Sequence, residues 1–78
     1  MAPGVFTESE KKRQFDLGNR VLNNWPQSDF MQITVGLVLI ENSGDERGIE
    51  IARKYLNHPH WSVRKVAHKT LLALGGKV

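Results

Sequence analysis

Cysteine is absent from the 78-residue chain, which excludes disulfide cross-links and thiolate metal sites. A long apolar run is missing too. The most apolar stretch, Phe30 to Ile40, is broken by Gln32 and Thr34, whereas a membrane-spanning helix needs about 20 apolar residues. The first thirty residues hold Glu8, Glu10, Lys11, Lys12, Arg13 and Asp16 where a signal peptide needs an apolar centre. The expectation is a soluble, cytoplasmic protein with no membrane partner. Side-chain carboxylates are absent after Glu50. Aromatic residues make up only 8%, too few for a platform of stacked bases beyond Trp61.

What is present makes one domain over residues 1–78, with a flexible terminus over 1–6 around Pro3 and Gly4. A domain of this size buries only about 60% of the surface of its unfolded chain. Stability must therefore come from good helix packing or from self-association.

Four helices are expected. Thr7-Glu8-Ser9-Glu10 has the form of a capping box and opens a helix running to about Asn24. Phe15, Gly18, Leu22 and Trp25 lie on one stripe of it, and Trp25 is expected in the core. Ser28-Asp29 opens a second helix, about 29–42, capped by Ser43-Gly44. It carries two apolar stripes: Phe30, Ile33, Leu37 and Ile40, and then Met31, Val35, Val38 and Leu39. A helix apolar on both sides is buried on both sides. Because residues 33–40 are rich in β-branched side chains, a strand is the competing reading there. A third helix is expected over about 45–57, with Asp45 and Glu46 in its first turn. A fourth is expected over about 61–74, stopped by Gly75-Gly76.

The first and third helices look duplicated. Arg13–Asn24 and Arg47–His58 share a pattern at an offset of 34: Arg, any, apolar, acid, aliphatic, small, any, basic, bulky, Leu, Asn, polar. Pro26 and Pro59 follow at an offset of 33. The next helices then pair Phe30 with Val63, Ile33 with Val66 and Val38 with Leu71. Self-similarity at this period is the mark of stacked helical repeats.

The stretch Leu56-Asn57-His58-Pro59-His60-Trp61-Ser62-Val63-Arg64-Lys65-Val66-Ala67, continued by Leu71, Leu74 and Gly75, resembles a HEAT repeat of the short, phycobilin lyase-like type. The resemblance is clearest over 45–76. Over 13–44 Met31 stands where the pattern wants Arg, and no Leu-Gly closes the unit. The resemblance implies an all-α, four-helix stack of two antiparallel pairs. It also implies binding to other macromolecules, since some members bind DNA and some act on chromophore-bearing proteins. No catalytic residue carries over.

Candidate chemistry is thin. Ser9, Ser28, Ser43 and Ser62 sit at expected caps or turns, outside any nucleophile motif. His58, His60 and His68 do not have the spacing of a recognised zinc site. No enzyme activity and no cofactor are expected. The charge is more informative. Residues 1–39 are neutral, with Lys11, Lys12, Arg13 and Arg20 against Glu8, Glu10, Asp16 and Asp29, so the net charge of +3 belongs to residues 40–78. Arg53, Lys54, Arg64, Lys65, His68 and Lys69, with Trp61, are the candidate partner-binding residues. The expected partner is a protein. Nucleic acid, held mostly through phosphate contacts, is the alternative. A third reading is a homodimer through helix 29–42, and a merely solvated basic surface remains the plain reading of the charge. For Arg64 the resemblance implies a structural role, tying a turn to its neighbour through an acid or a carbonyl, which competes with a role in binding a partner.

Overall fold

In a computed structural model, which describes residues 7–77, four helices follow in order: α1 (Glu8–Asn24), α2 (Phe30–Ser43), α3 (Gly48–Lys54) and α4 (Trp61–Ala73). The protein is all-α, and residues 33–40 are helical. The expected flexible terminus, 1–6, lies outside the described residues.

Local chemistry sets most boundaries. The Thr7 hydroxyl accepts the Glu10 N–H at 3.2 Å, and the Glu10 carboxylate accepts the Thr7 N–H at 3.1 Å. This is the reciprocal capping box that starts α1. Asp29 caps α2 by accepting the Gln32 N–H at 3.3 Å. At the other end of α2, Gly44 takes φ 64, a left-handed conformation that only glycine adopts without strain. After α4, Gly76 donates to the Leu71 carbonyl and Gly75 to that of Leu72. Gly75 is at φ 90, and the pair of bonds forms a Schellman-type stop.

Helix α3 is shorter than the sequence suggests. Asp45 accepts the Arg47 N–H at 2.9 Å and pairs with its guanidinium at 2.6 Å, so residues 45–47 form a turn ahead of the helix. At the other end, Tyr55 donates to Ala52 and Leu56 to Arg53. These tightened three-residue bonds end the α-helix at Lys54. Glu50, and not Asp45, is the acid in its first turn.

The packing centres on α2, which touches all three other helices. Ile33, Leu37 and Ile40 are fully buried with Ala52, Val63, Ala67 and Leu71, and Phe15, Leu22 and Tyr55 complete the core. Burying a side chain of the Leu or Ile type is worth about 1.5–3 kcal/mol. Gly18 and Gly36 let α1 and α2 approach: a Cβ at Gly18 would meet Ile40 and the Gly36 carbonyl, and one at Gly36 would meet Leu22. Rising numbers on α1 thus meet falling numbers on α2, so the two run antiparallel. On the other side Phe30 stacks on His60 with centroids 3.8 Å apart, and the Thr70 hydroxyl donates to the Leu37 carbonyl. Both numbers rise together, so α2 and α4 run parallel.

Two expectations need correction. Trp25 is 44% exposed. The helix stops at Asn24, and Trp25 itself is extended, with φ −104 and ψ 142, so the α1 stripe never reaches it. Helix α2 is buried on one face only. Phe30, Met31, Val35 and Val38 are 37–66% exposed, because α1 and α4 cover its two flanks and no element lies over its outer side among the described residues.

The pairing of α2 with α4 also differs from the sequence alignment. Phe30 and Val38 are exposed, but Val63 and Leu71 are fully buried. Burial matches at an offset of 30, with Ile33, Leu37 and Ile40 against Val63, Ala67 and Thr70. The outward ridges correspond in the same way: Met31, Val35 and Val38 against Trp61, Lys65 and His68.

Candidate functional site

The turn before α4 positions the basic residues, and its own geometry is closely bonded. His58 is buried, and its Nε2 lies 2.7 Å from the Gln27 carbonyl. Its Nδ1 accepts the His60 N–H at 3.0 Å, so the ring is the neutral tautomer that donates from Nε2. One imidazole thus fastens the α3–α4 turn to the α1–α2 turn. His60 caps α4, with Nδ1 accepting from the Ser62 N–H at 3.2 Å and lying 2.7 Å from the Ser62 hydroxyl. With these ring nitrogens engaged, the two histidines act as parts of the turn. Among the described residues no cluster of three or more His, Asp or Glu side chains is arranged to hold a metal.

Arg64 is anchored in the same turn. Its Nη1 donates to the His58 carbonyl at 2.8 Å and to the Pro59 carbonyl at 2.9 Å. Arg64 thus holds the turn that precedes its own helix, through carbonyls and not an acid. Both bonds use one nitrogen, which leaves the rest of the guanidinium fork directed elsewhere.

Arg53, Arg64, Lys65 and His68 come together around Leu56 and Asn57, lining an open groove of about 580 Å³ between α3 and α4. Four of the seven candidate residues thus share one site. No carboxylate lines it. Glu50 reaches Arg53 at 3.7 Å, but both side chains are well exposed, and such pairs are worth little. Lys54, Trp61 and Lys69 do not line this groove. All three are exposed, Lys54 at the last turn of α3 and Trp61 at the first residue of α4. Trp61 precedes Lys65 by four residues and His68 by seven, so the three share the outer ridge of α4.

Sequence reasoning missed a second groove. Thr34, Val35, Val38 and Leu39 of α2 and Val66 of α4 line an open, apolar depression of about 340 Å³. The signal was available: Met31, Val35 and Val38 recur at helical spacing opposite Ile33, Leu37 and Ile40. Sequence alone assigns that stripe either to the core or to a homodimer face. Also missed was the row of rings at one end of this surface, where Phe30 stacks on His60 and His60 lies 6.0 Å from Trp61.

Two carboxylates away from the grooves are electrostatically tuned. Hydrogen bonds from the Arg47 guanidinium and then its backbone N–H hold the Asp45 carboxyl below its usual range. The Arg47 guanidinium is raised by Asp45 and sits 4.3 Å from the centroid of the Phe15 ring, a cation–π contact. The Glu10 carboxyl is lowered by the Thr7 backbone N–H and then by the Thr7 hydroxyl. Both act at helix boundaries. No helix among the described residues is long and apolar enough to cross a membrane.

Compared with family models, with curated proteins and with solved structures, the chain has no match.

Proposed function

We propose that this chain is a HEAT-like protein-interaction module without catalytic activity, and that it binds an acidic stretch of another protein. The observation that carries this reading is the convergence of Arg53, Arg64, Lys65 and His68 on one carboxylate-free groove that Leu56 and Asn57 also line. Opposite charge on a partner would steer encounter and fix register there. The apolar side chain of Leu56 among the basic residues favours a polypeptide, since phosphates have no use for it. The antiparallel α1–α2 pair and the parallel course of α2 and α4 are what support the HEAT-like part of the proposal. A cytoplasmic location belongs to the same reading and is checked by fractionation.

Nucleic acid is the second reading. It is favoured by Trp61, 63% exposed and on the same ridge as Lys65 and His68, where a base can stack beside phosphate contacts.

Fluorescence anisotropy separates the two. Labelled polyglutamate and labelled single- and double-stranded DNA and RNA are titrated at about 50 and 200 mM salt. The interaction reading expects polyglutamate to bind and Arg53→Glu with Lys65→Glu, both in the groove, to abolish it. DNA or RNA binding that is tighter than polyglutamate binding, and that weakens by orders of magnitude between the two salts, selects the nucleic-acid reading. No binding of either polyanion overturns both and leaves a solvated basic surface.

A further inference from the structure

The α2–α4 groove differs from the basic groove in being almost entirely aliphatic. Val35 and Val38 are 49% and 44% exposed and Met31 is 66% exposed, with Leu39 and Val66 half-buried beside them. From Phe30 to Ile40 α2 carries no charged side chain. The α4 rim is different. Lys69 stands one turn after Val66, Lys65 one turn before Lys69, and both are exposed. An aliphatic trough thus runs parallel to a lysine ridge, with the rings of Phe30, His60 and Trp61 across one end.

From this arrangement we infer that the α2–α4 face receives an amphipathic helix of another protein, apolar on the side that enters the groove and acidic on the side that meets Lys65 and Lys69. This rests on the interaction reading above and goes beyond it, adding to the basic α3–α4 groove a second, apolar surface for the partner. Helix-in-groove recognition places apolar anchors at i, i+3 or i+4, and i+7. Met31, Val35 and Val38 repeat at four and then three residues, so two helices crossing at a shallow angle interdigitate there. Helix α2 has 14 residues, about 21 Å, enough for three to four turns of a partner.

Charge decides between occupants. A second copy of this chain would fit the aliphatic strip, but it would bring another net +3 and a second lysine ridge to the same place. A nucleic acid would satisfy the lysines and leave Val35, Val38 and Val66 without a use. An acidic amphipathic helix satisfies both halves of the surface at once.

The test uses a fluorescein-labelled synthetic peptide about 18 residues long, about 27 Å as a helix, with leucine and alanine on one helical face and glutamate and glutamine on the other. A scrambled peptide of the same composition and polyglutamate are titrated beside it. The amphipathic peptide is expected to bind about tenfold or more tighter than the scrambled one, as burial of a few exposed aliphatic side chains would give. In Val35→Gln with Val38→Gln that advantage disappears while polyglutamate binding is unchanged. Both positions are exposed, so helix content by circular dichroism stays at the wild-type level.

Equal binding of the two peptides, or an unaltered preference in the double variant, overturns this inference. The interaction reading survives that result if polyglutamate binds and falls if it does not. Sedimentation of the free chain as a dimer that Val35→Gln with Val38→Gln converts to monomer also overturns it, because the occupant is then a second copy.

Discussion

Gly18 on α1 faces Gly36 on α2 so closely that a Cβ placed at Gly18 would stand 2.9 Å from the Gly36 carbonyl oxygen and 2.8 Å from the Ile40 side chain. The carbonyl belongs to helical backbone and cannot swing away. Alanine at position 18 would gain about 1 kcal/mol in helix propensity. Forcing α1 off α2 costs about 1–3 kcal/mol. The clash is the larger effect, so Gly18→Ala is expected to lower stability, read as an earlier urea midpoint at unchanged slope. A variant at least as stable as wild type would show that the helices can separate freely.

His58 joins the two inter-helix turns through both ring nitrogens. Replacing it by Phe keeps a ring and removes both bonds, leaving the His60 N–H and the Gln27 carbonyl to find water. A loss of about 1–3 kcal/mol follows. Amide exchange at His60 should quicken in the same variant, and unchanged exchange there would contradict the assigned bond.

Arg64 and Lys65 are neighbours in the same groove with different duties. Arg64→Ala removes two charge-assisted bonds to turn carbonyls and is expected to cost about 1 kcal/mol of stability, at the lower end for such bonds because the site is only partly buried. Lys65→Ala should stay within about 0.5 kcal/mol, while weakening polyglutamate binding. Thermal melts and anisotropy on both variants check the separation.

Glu10 and Asp45 supply an acid-side pH dependence. Each carboxyl titrates below its ordinary value, 4.5 for Glu10 and 3.8 for Asp45, in the folded chain. The unfolded chain therefore takes up protons first. The stability from these groups is full above their ordinary values and is lost as pH falls through those values to the lower folded ones. Carbon-detected NMR titration of the two carboxyls should show both midpoints below the ordinary range. In Arg47→Ala the Asp45 midpoint should return most of the way, since the guanidinium bond is its largest cause. In Thr7→Ala the Glu10 midpoint should return only in part, since the backbone N–H remains.

The sequence alone determined the four helices and most of their ends, those of α3 excepted. Thr7 with Glu10, Asp29, Gly44 and Gly75-Gly76 act through hydrogen bonds and backbone angles that span only a few residues, and such chemistry can be read in order along the chain. The spacing of Ile33, Leu37 and Ile40 named the central core for the same reason. The basic residues after Glu50 were also legible, because charge needs no fold to be counted. The tertiary structure decided which apolar surfaces are covered. Trp25 left the α1 stripe once the backbone turned extended, and Val35 and Val38 stayed outside because no helix among the described residues lies over the outer side of α2. The grouping of Arg53 with Arg64, Lys65 and His68, and the meeting of Val38 with Val66, depend on how helices distant in sequence lie together. Periodicity reports that a helix has an apolar face, but burial of that face requires a neighbour, and only packing supplies one.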